Sequence, residues 1–153
     1  MGLLVAQVLG TVTPDVTVFG RHDAKLEVGR RLGLSVRRSD APLSRAERFD
    51  VVVDATGRPE GIERALDLVR PRGTLVLKST FHGEAAIASW PIVVDEVTLV
   101  GSRCGPFPRA IDLLASGAVN VGPLVARATP LKEYAAAFAD ARHTLKVLFD
   151  LRL

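Results

Sequence analysis

The chain has 153 residues, of which 48% are hydrophobic, 24% charged and only 5% aromatic. This length suits one domain with a single core, and the composition is that of a folded α/β protein rather than a disordered chain. The net charge is a modest +3, and the basic residues do not cluster with interleaved aromatic residues, as they do in many nucleic-acid-binding proteins. We therefore expect one domain over residues 1–153 that does not bind nucleic acid.

The cysteine content and the apolar runs exclude several further classes of protein. The single cysteine, Cys104, excludes an internal disulfide and a zinc site built from several cysteines. No apolar run approaches the roughly 20 residues that a membrane-spanning helix needs. The apolar start of the chain lacks the basic leader and the small-residue cleavage site of a signal peptide. We expect a cytoplasmic protein that does not contact membranes.

Helices and strands are predicted to alternate along the chain. In chain order they are a helix over residues 2–9, a strand over 16–19, a helix over 22–32, a weak strand, a strand over 49–54, a helix over 59–69, strands over 73–77 and 97–100, helices over 108–115 and 131–141, and a strand over 145–149. Short alternating elements of this kind predict a parallel sheet with helical crossovers.

Two of these elements carry more specific expectations. The strand over 49–54 has the strongest signal, and its nearly continuous apolar run predicts burial on both faces. The strand over 73–77 is expected to follow a turn at residues 71–73. A doubly wound sheet normally opens with a strand, whereas the first predicted element of this chain is a helix.

Four short segments stand out by their order and spacing. They are GLLVAQ at residues 2–7, FDVVVDATG at 49–57, RPRGT at 70–74 and GSRCG at 101–105. Together they resemble the C-terminal half of the medium-chain dehydrogenase/reductase family, which includes the zinc-dependent alcohol dehydrogenases. The resemblance covers nearly the whole chain. It implies an α/β fold with a Rossmann-like, doubly wound parallel sheet that binds NAD(P).

The same resemblance implies a truncated form of that domain. In the family the sheet opens with a strand and a G-x-G-x-x-G turn whose glycines let the backbone approach the pyrophosphate. Gly2 matches only the last of these glycines, which mainly serves close packing of helix on strand. The usual first strand, the earlier glycines and the N-terminal catalytic domain with its zinc ligands would precede Met1. In the usual strand order 3-2-1-4-5-6 the missing strand is central, so we expect the sheet to be rearranged there or to depend on a partner.

The resemblance also assigns residues to the adenosine end of the cofactor. The position that usually carries an acidic residue for the ribose is Gly20, followed by Arg21. Without the carboxylate there is no repulsion of a 2′-phosphate, and Arg21, with added charge from Lys25, would bind that phosphate. This slightly favours NADP over NAD. A plain turn with a solvated arginine is the alternative.

Further cofactor contacts are implied at the strand ends and near the C terminus. Ala55, Thr56 and Gly57 would face the adenosine side, with a simple tight turn as the alternative. The nicotinamide would lie near two stretches that contain Lys78, Ser79, Gly101, Ser102 and Cys104. Lys146 resembles a basic position near the pyrophosphate, although an ordinary surface lysine is almost as good an interpretation.

No catalytic or metal-binding residue is assigned. His22, His82 and His143 show no metal-ligand spacing. Cys104 has no identifiable partner base, so a packed or loosely buried thiol is favoured over a nucleophile. Residues 86–94 are more apolar than a surface loop should be. By resemblance they form a homodimer contact, and a loop packed on its own core is the alternative.

Two functions from different classes follow. The first is the nicotinamide-dinucleotide-binding portion of an oxidoreductase that acts on alcohols or polyols, with zinc on the missing domain and no activity in this chain alone. The second is a non-catalytic nucleotide-binding or dimerisation module. A methyltransferase-type Rossmann domain is disfavoured, because Gly20 stands where an acidic ribose contact is expected and the 49–54 strand ends in Asp-Ala-Thr-Gly.

Overall fold

The computed structural model describes residues 1–152, except for the side chain of Arg45. The helices and strands, in chain order, are α1 Gly2–Gly10, β1 Thr17–Gly20, α2 Asp23–Arg31, β2 Ser35–Arg38, β3 Phe49–Asp54, α3 Pro59–Leu68, β4 Val69–Leu77, α4 Ser89–Val94, β5 Thr98–Gly101, α5 Phe107–Ala115, β6 Val125–Pro130, α6 Tyr134–Ala141 and β7 Lys146–Asp150. Short 3-10 turns cover Arg45–Glu47, Gly122–Leu124 and Leu131–Glu133.

The chain forms two compact units. The first unit holds residues 1–2 and 41–106, and the second holds residues 3–40 together with the residues from 107 onward. The strands form three sheets with the orders β1-β2, β3-β4-β5 and β6-β7, and every pair is parallel. The predicted α/β class with parallel strands is confirmed. Residues 1–152 do not form one unbroken six-stranded sheet, which agrees with the sheet interruption expected from the sequence. A single domain over residues 1–153 remains a prediction.

The first unit is a three-stranded sheet with one helix packed on it. Pro59 stands at the start of α3, where its fixed φ and missing N–H suit the first turn. Apolar residues three and four apart in α3 then face the sheet. The buried core of this unit consists of Ile62, Ala65, Leu66, Val69, Leu75 and Val97. This packing fixes the positions at which β3 and β4 end.

Strand β4 begins earlier than the sequence indicated. It follows α3 directly at Val69, so the turn predicted at residues 71–73 lies inside the strand and not before it. Arg72 takes a positive φ of 61° there, and the register against β3 shifts between Phe49 and Val51. A Cβ on Gly73 would lie 2.8 Å from the carbonyl oxygen of Arg70 and 2.9 Å from that of Asp50. Glycine is therefore required where this irregular strand crosses its neighbour.

The prediction that the 49–54 strand is buried on both faces is wrong. Val52 packs against the core, but Val51, which points to the opposite face, is 53% exposed. Alternate residues of a strand point to opposite faces, and α3 covers only one of them. The continuous apolar run in β3 is therefore not matched by burial within residues 1–152.

The second unit contains two parallel strand pairs with helical connections. Helix α2 connects β1 to β2, its Leu26 is only 2% exposed, and Gly33 ends it with a φ of +75°, as expected. Helix α1 is fixed by Gln7, whose side-chain amide donates to the carbonyl of Asn120 at 3.2 Å and accepts from its backbone N–H at 2.7 Å. Strand β6 was not predicted, because it ends in proline and its alternation is weak.

The helix lengths test the expectation that the chain has no membrane-spanning helix. Within residues 1–152, every helix is too short or too polar to cross a lipid bilayer.

Candidate functional site

The candidate site of the first unit lies where its strands end. Asp54 closes β3, Lys78 follows β4 directly and Gly101 closes β5. Because the three strands are parallel and adjacent, their carboxyl ends meet at one edge of the sheet. Open α/β sheets bind ligands at this edge.

A buried carboxylate connects the loops at this edge. Asp54 is only 3% exposed. Its Oδ1 accepts hydrogen bonds from the backbone N–H of Thr56 at 3.1 Å and from the Thr56 hydroxyl at 2.7 Å, while Oδ2 accepts from the Ser79 hydroxyl at 2.7 Å. The Ser79 oxygen in turn accepts from the N–H of Gly57 at 2.8 Å. The loops after β3 and β4 are therefore held together by one satisfied polar network.

Two glycines make room for this network. Gly57 has a φ of +68°, a left-handed conformation that glycine adopts without strain. Gly61 lies in the first turn of α3, and a Cβ there would come within 1.9 Å of the Thr56 hydroxyl and 2.8 Å of Asp54 Oδ1. The start of the helix can approach the carboxylate this closely only because residue 61 has no side chain.

A cleft opens beside the network, between the ends of β4 and β5. It has a volume of about 480 Å³ and is lined by Leu77, Lys78, Ser79, Thr80, Gly101, Ser102 and Arg103. The Lys78 ammonium donates to the carbonyl of Ser102 at 3.3 Å and also to that of Arg103. The Ser102 N–H donates to the Leu77 carbonyl at 3.0 Å. The volume lies in the range of small-molecule sites.

Six of the predicted site residues of the first unit fall into one region. Thr56, Gly57 and Ser79 share the Asp54 network, and Lys78, Gly101 and Ser102 line the cleft. Cys104 follows Arg103 as an exposed free thiol and is not among the lining residues, so the expectation of a packed thiol is wrong. Gly2 lies near Ala55 rather than in the cleft, since a Cβ on Gly2 would lie 4.0 Å from that of Ala55.

The second unit carries the residues assigned to the adenosine end. Gly20 closes β1, and a Cβ there would lie 2.8 Å from Cδ2 of the buried Leu26. Close packing against Leu26 is therefore a second explanation for glycine at this position, beside the explanation from cofactor preference. Arg21 is exposed and Lys25 is half-buried in the first turn of α2. Lys146 opens β7 and is exposed.

Arg38, which the sequence reading missed, is the most constrained charge in this unit. Its guanidinium donates to both oxygens of Asp23 at 3.1 Å, to Asp40 at 3.1 and 2.8 Å, and to the Arg21 carbonyl at 3.1 Å. The hydrogen bond from Arg38 lowers the pKa of Asp40, and the bond to Asp40 raises the pKa of Arg38. Two carboxylates already neutralise this arginine, whereas Arg21 and Lys25 lie nearby in sequence at the end of β1 and the start of α2.

Other functional candidates that the sequence reading missed are Asp54, Gly61 and Arg103. The Asp-x-Thr spacing at the end of β3 is a recognisable signal, since Asp side chains commonly bond the backbone two residues later. Gly61 and Arg103 carry no such signal, because only the packing shows what lies beside them. His22, His82 and His143 are exposed, and within residues 1–152 no three His, Cys, Asp or Glu residues are placed to hold a metal ion.

Parallel sheets joined by helices, with polar residues at the strand ends, define an α/β protein with a ligand edge. The model of a family described as zinc-binding dehydrogenase matches residues 1–116, and the chain belongs to that family. The resemblance to zinc-dependent alcohol dehydrogenases is therefore confirmed.

Individual relatives agree with this assignment. The chain is 28% identical to D-arabinitol dehydrogenase 1 of Uromyces fabae, over 95% of the chain and 47% of the relative. A short chain alcohol dehydrogenase of Escherichia coli CFT073, complexed with NADH, has a TM-score of 0.84 at 24% identity over 97% of this chain and 49% of that one. A putative zinc-binding dehydrogenase of Sinorhizobium meliloti 1021, bound to NADP, has a TM-score of 0.83 at 23% identity over 96% and 48%. The chain thus spans about half the length of the relatives it matches.

Proposed function

We propose that the chain is the nicotinamide-dinucleotide-binding portion of an oxidoreductase that acts on alcohols or polyols. The observation that carries this proposal is the Asp54 network beside the cleft at the carboxyl ends of β3, β4 and β5. When bound, the dinucleotide supplies or accepts the hydride. The protein contributes binding, orientation and a fixed surface for it. Family membership adds the reaction class, and the name of D-arabinitol dehydrogenase suggests the polyol substrates.

The backbone geometry at this edge supports the proposal. Gly57 exposes backbone close to the sheet because it has no side chain, and Ser79 holds its N–H in place. Ala55 and Thr56 complete this adenosine-side group, and Gly2 lies beside it. Lys78, Ser79, Gly101, Ser102 and Cys104 would bind the nicotinamide side, mainly through backbone groups. Lys146 would supply charge for the pyrophosphate.

The proposal is tested by mapping dinucleotide binding onto the chain. Isotope-labelled protein is titrated with NADH, and the backbone amide resonances are followed. We expect saturable shifts at residues 55–57, 78–79 and 101–104. Sodium chloride at the same ionic strength serves as the control and should not produce them. Saturation without shifts in these segments would overturn the assignment of the site.

The cofactor preference that we propose is NADP over NAD. Its support is the exposed Arg21 with Lys25 nearby in sequence, at a strand end that lacks a carboxylate at Gly20. Arg21→Gln should weaken NADPH binding by about tenfold, the size of one charge-assisted contact, and leave NADH binding unchanged. Arg30→Gln is the matched control, since Arg30 is paired with Glu27 in the same helix. Equal losses for both cofactors would count against the preference.

We also propose a homodimer formed through residues 86–94. Residues 89–94 of this segment form α4, so it is a helix as well as a loop. Ile87 and Ile92 pack inward, whereas Trp90, Val93 and Val94 are 63%, 73% and 68% exposed. Three neighbouring exposed apolar side chains are costly in water and typical of an interface. Sedimentation should show a dimer that Val93→Asp dissociates, and a monomeric wild-type chain would exclude it.

The proposal also covers the activity of the chain alone and its location in the cell. Because the chain spans about half the length of the dehydrogenases it matches, we expect it to bind cofactor but not to turn over substrate alone. We expect it to work in the cytoplasm, where the exposed Cys104 thiol stays reduced. If the chain dimerises but binds no dinucleotide, the non-catalytic dimerisation module becomes the better description.

A further inference from the structure

We propose that Ser79 is a positioning residue that couples the two sides of the dinucleotide site, and that its neighbour Lys78 completes the link. The loop after β3, which contains Gly57, is the proposed adenosine side, and the loop after β5, which contains Ser102, belongs to the proposed nicotinamide side. This inference rests on the proposed dinucleotide binding. It goes beyond that proposal because it states how occupation of one side changes the affinity of the other.

The Ser79 hydroxyl forms the first half of the link. It donates to Oδ2 of the buried Asp54 at 2.7 Å, and its oxygen accepts from the Gly57 N–H at 2.8 Å. Because its proton is committed to Asp54, the hydroxyl meets the Gly57 N–H as an acceptor only. Both bonds are partly buried, where a hydrogen bond is stronger than it is in water. A displacement of the Gly57 backbone therefore acts directly on Ser79.

The Lys78 ammonium forms the second half of the link. It donates to the carbonyls of Ser102 and Arg103 in the loop after β5. Strand β4 lies between β3 and β5, so two adjacent residues at its end reach the loops on both sides. The ammonium bonds are exposed, and water competes with them. The Ser79 half is therefore the stronger one.

The backbone that joins the two side chains has little freedom to absorb a movement. The N–H groups of Lys78 and Ser79 donate to the Asp54 carbonyl at 3.0 and 3.3 Å, and the Ser102 N–H donates to the Leu77 carbonyl at 3.0 Å. A shift of the loop after β3 must therefore break bonds to Asp54 or move residues 77–79 with their contacts to β5. A ligand that orders one loop lowers the entropy cost of ordering the other, so the two sides should bind cooperatively.

The test uses the two ends of the cofactor as separate probes on the whole chain. Labelled protein is titrated with nicotinamide in the absence and in the presence of saturating 5′-AMP, and the amide resonances of residues 55–57 and 101–103 are followed. We expect 5′-AMP to tighten nicotinamide binding at least about fivefold, the low end of typical couplings between sites. By linkage, nicotinamide should tighten 5′-AMP binding by the same factor.

Variants of the link separate positioning from a merely structural role. Ser79→Ala should reduce the coupling factor to about one and speed hydrogen exchange of the Gly57 amide, because that N–H loses its acceptor. Ser79→Thr, which keeps a hydroxyl, should restore the coupling and the slow exchange. Lys78→Met should reduce the coupling while the exchange of the Gly57 amide stays slow. Thr80→Ala, which deletes the neighbouring hydroxyl, is the matched control and should change neither quantity.

The outcomes that overturn the positioning role are distinct from those that overturn dinucleotide binding. A coupling factor near one in the unmodified chain, or a factor that Ser79→Ala leaves unchanged, overturns the positioning role. If the amide resonances of Ser79→Ala show that it does not fold, an unchanged factor in Lys78→Met overturns it instead. NADH binding is read separately by its fluorescence. If NADH binds without coupling, only the positioning role falls, and if NADH does not bind, both proposals fall.

Discussion

Asp54 illustrates how one buried carboxylate can organise several loops. It accepts hydrogen bonds from Thr56 and Ser79, and through Ser79 it positions the N–H of Gly57. A buried carboxylate is costly unless its oxygens are bonded, and here both are. Hydroxyl and backbone donors stabilise the buried carboxylate here, and a cation does not. The network can therefore hold the strand ends without adding positive charge to the ligand edge.

The close approach of α3 to this network predicts the effect of a single methyl group. Gly61→Ala should destabilise the protein by about 1–3 kcal/mol, the usual cost of forcing an extra carbon into packed surroundings, because the new Cβ would overlap the Thr56 hydroxyl. Urea unfolding measures the change. Gly10→Ala is the control, since its Cβ would meet nothing within 4 Å. Equal free energies of unfolding for the two variants would contradict the packing around residue 61.

The Arg38 cluster predicts a pH dependence with a defined sign. The hydrogen bond from Arg38 lowers the pKa of Asp40 in the folded state. A lowered pKa means that the stabilisation is present above the ordinary value of about 3.9 and is lost as the pH falls through the folded-state value. Titration of the Asp40 carboxyl carbon by NMR should give a midpoint below the ordinary one. Arg38→Gln should restore the ordinary midpoint, and an unchanged midpoint would show that the pair does not form in solution.

At the scale of elements, the first unit is a sheet covered on one face. Helix α3 buries Leu75 completely, at 0% exposure, while Val51 on the opposite face of the sheet stays 53% exposed. Strand β5 is also open, with Leu99 39% and Val100 42% exposed. Two apolar strands thus present uncovered side chains within residues 1–152.

This asymmetry predicts unequal responses to mutation in neighbouring strands. Leu75→Ala should cost about 2–5 kcal/mol, because it leaves a cavity in the core. Val51→Thr should cost less than about 1 kcal/mol, because an exposed strand position tolerates a β-branched polar residue. Chemical denaturation of both variants provides the comparison. A loss above 2 kcal/mol for Val51→Thr would mean that another part of the protein covers this face.

The elements show what periodicity reveals and what it leaves hidden. Helix α3 and strand β3 were predictable because their apolar spacing matches a helix and a strand over several residues. The start of β4 was not, since a turn-like Pro-Arg-Gly lies inside an irregular strand. Helix α4 was not predicted either, because Pro91 and two adjacent valines obscure its period. The site residues at the strand ends were predictable from the order of helices and strands along the chain. The hydrogen-bond partners of Asp54 and Arg38 were not, because they depend on contacts between distant segments.

At the scale of the whole molecule, family membership and local geometry answer different questions. Membership in the zinc-binding dehydrogenase family establishes the reaction class of the relatives. The chain covers 47% of D-arabinitol dehydrogenase 1 and 49% of the NADH-complexed alcohol dehydrogenase. The dinucleotide proposal rests on two separate features, the ligand edge of the first unit and the strand end at Gly20 and Arg21 in the second.

The most direct test of the account is a calorimetric titration of the purified 153-residue chain with NADPH and, in parallel, with NADH. We predict saturable binding of one dinucleotide per chain, tighter for NADPH because Arg21 and Lys25 offer positive charge without an opposing carboxylate at Gly20. Dinucleotide binding would be contradicted if neither cofactor, at millimolar concentration, gave a heat of binding or changed its fluorescence in a parallel titration. The chain would then be an assembly module, and its exposed α4 surface would be its main functional feature.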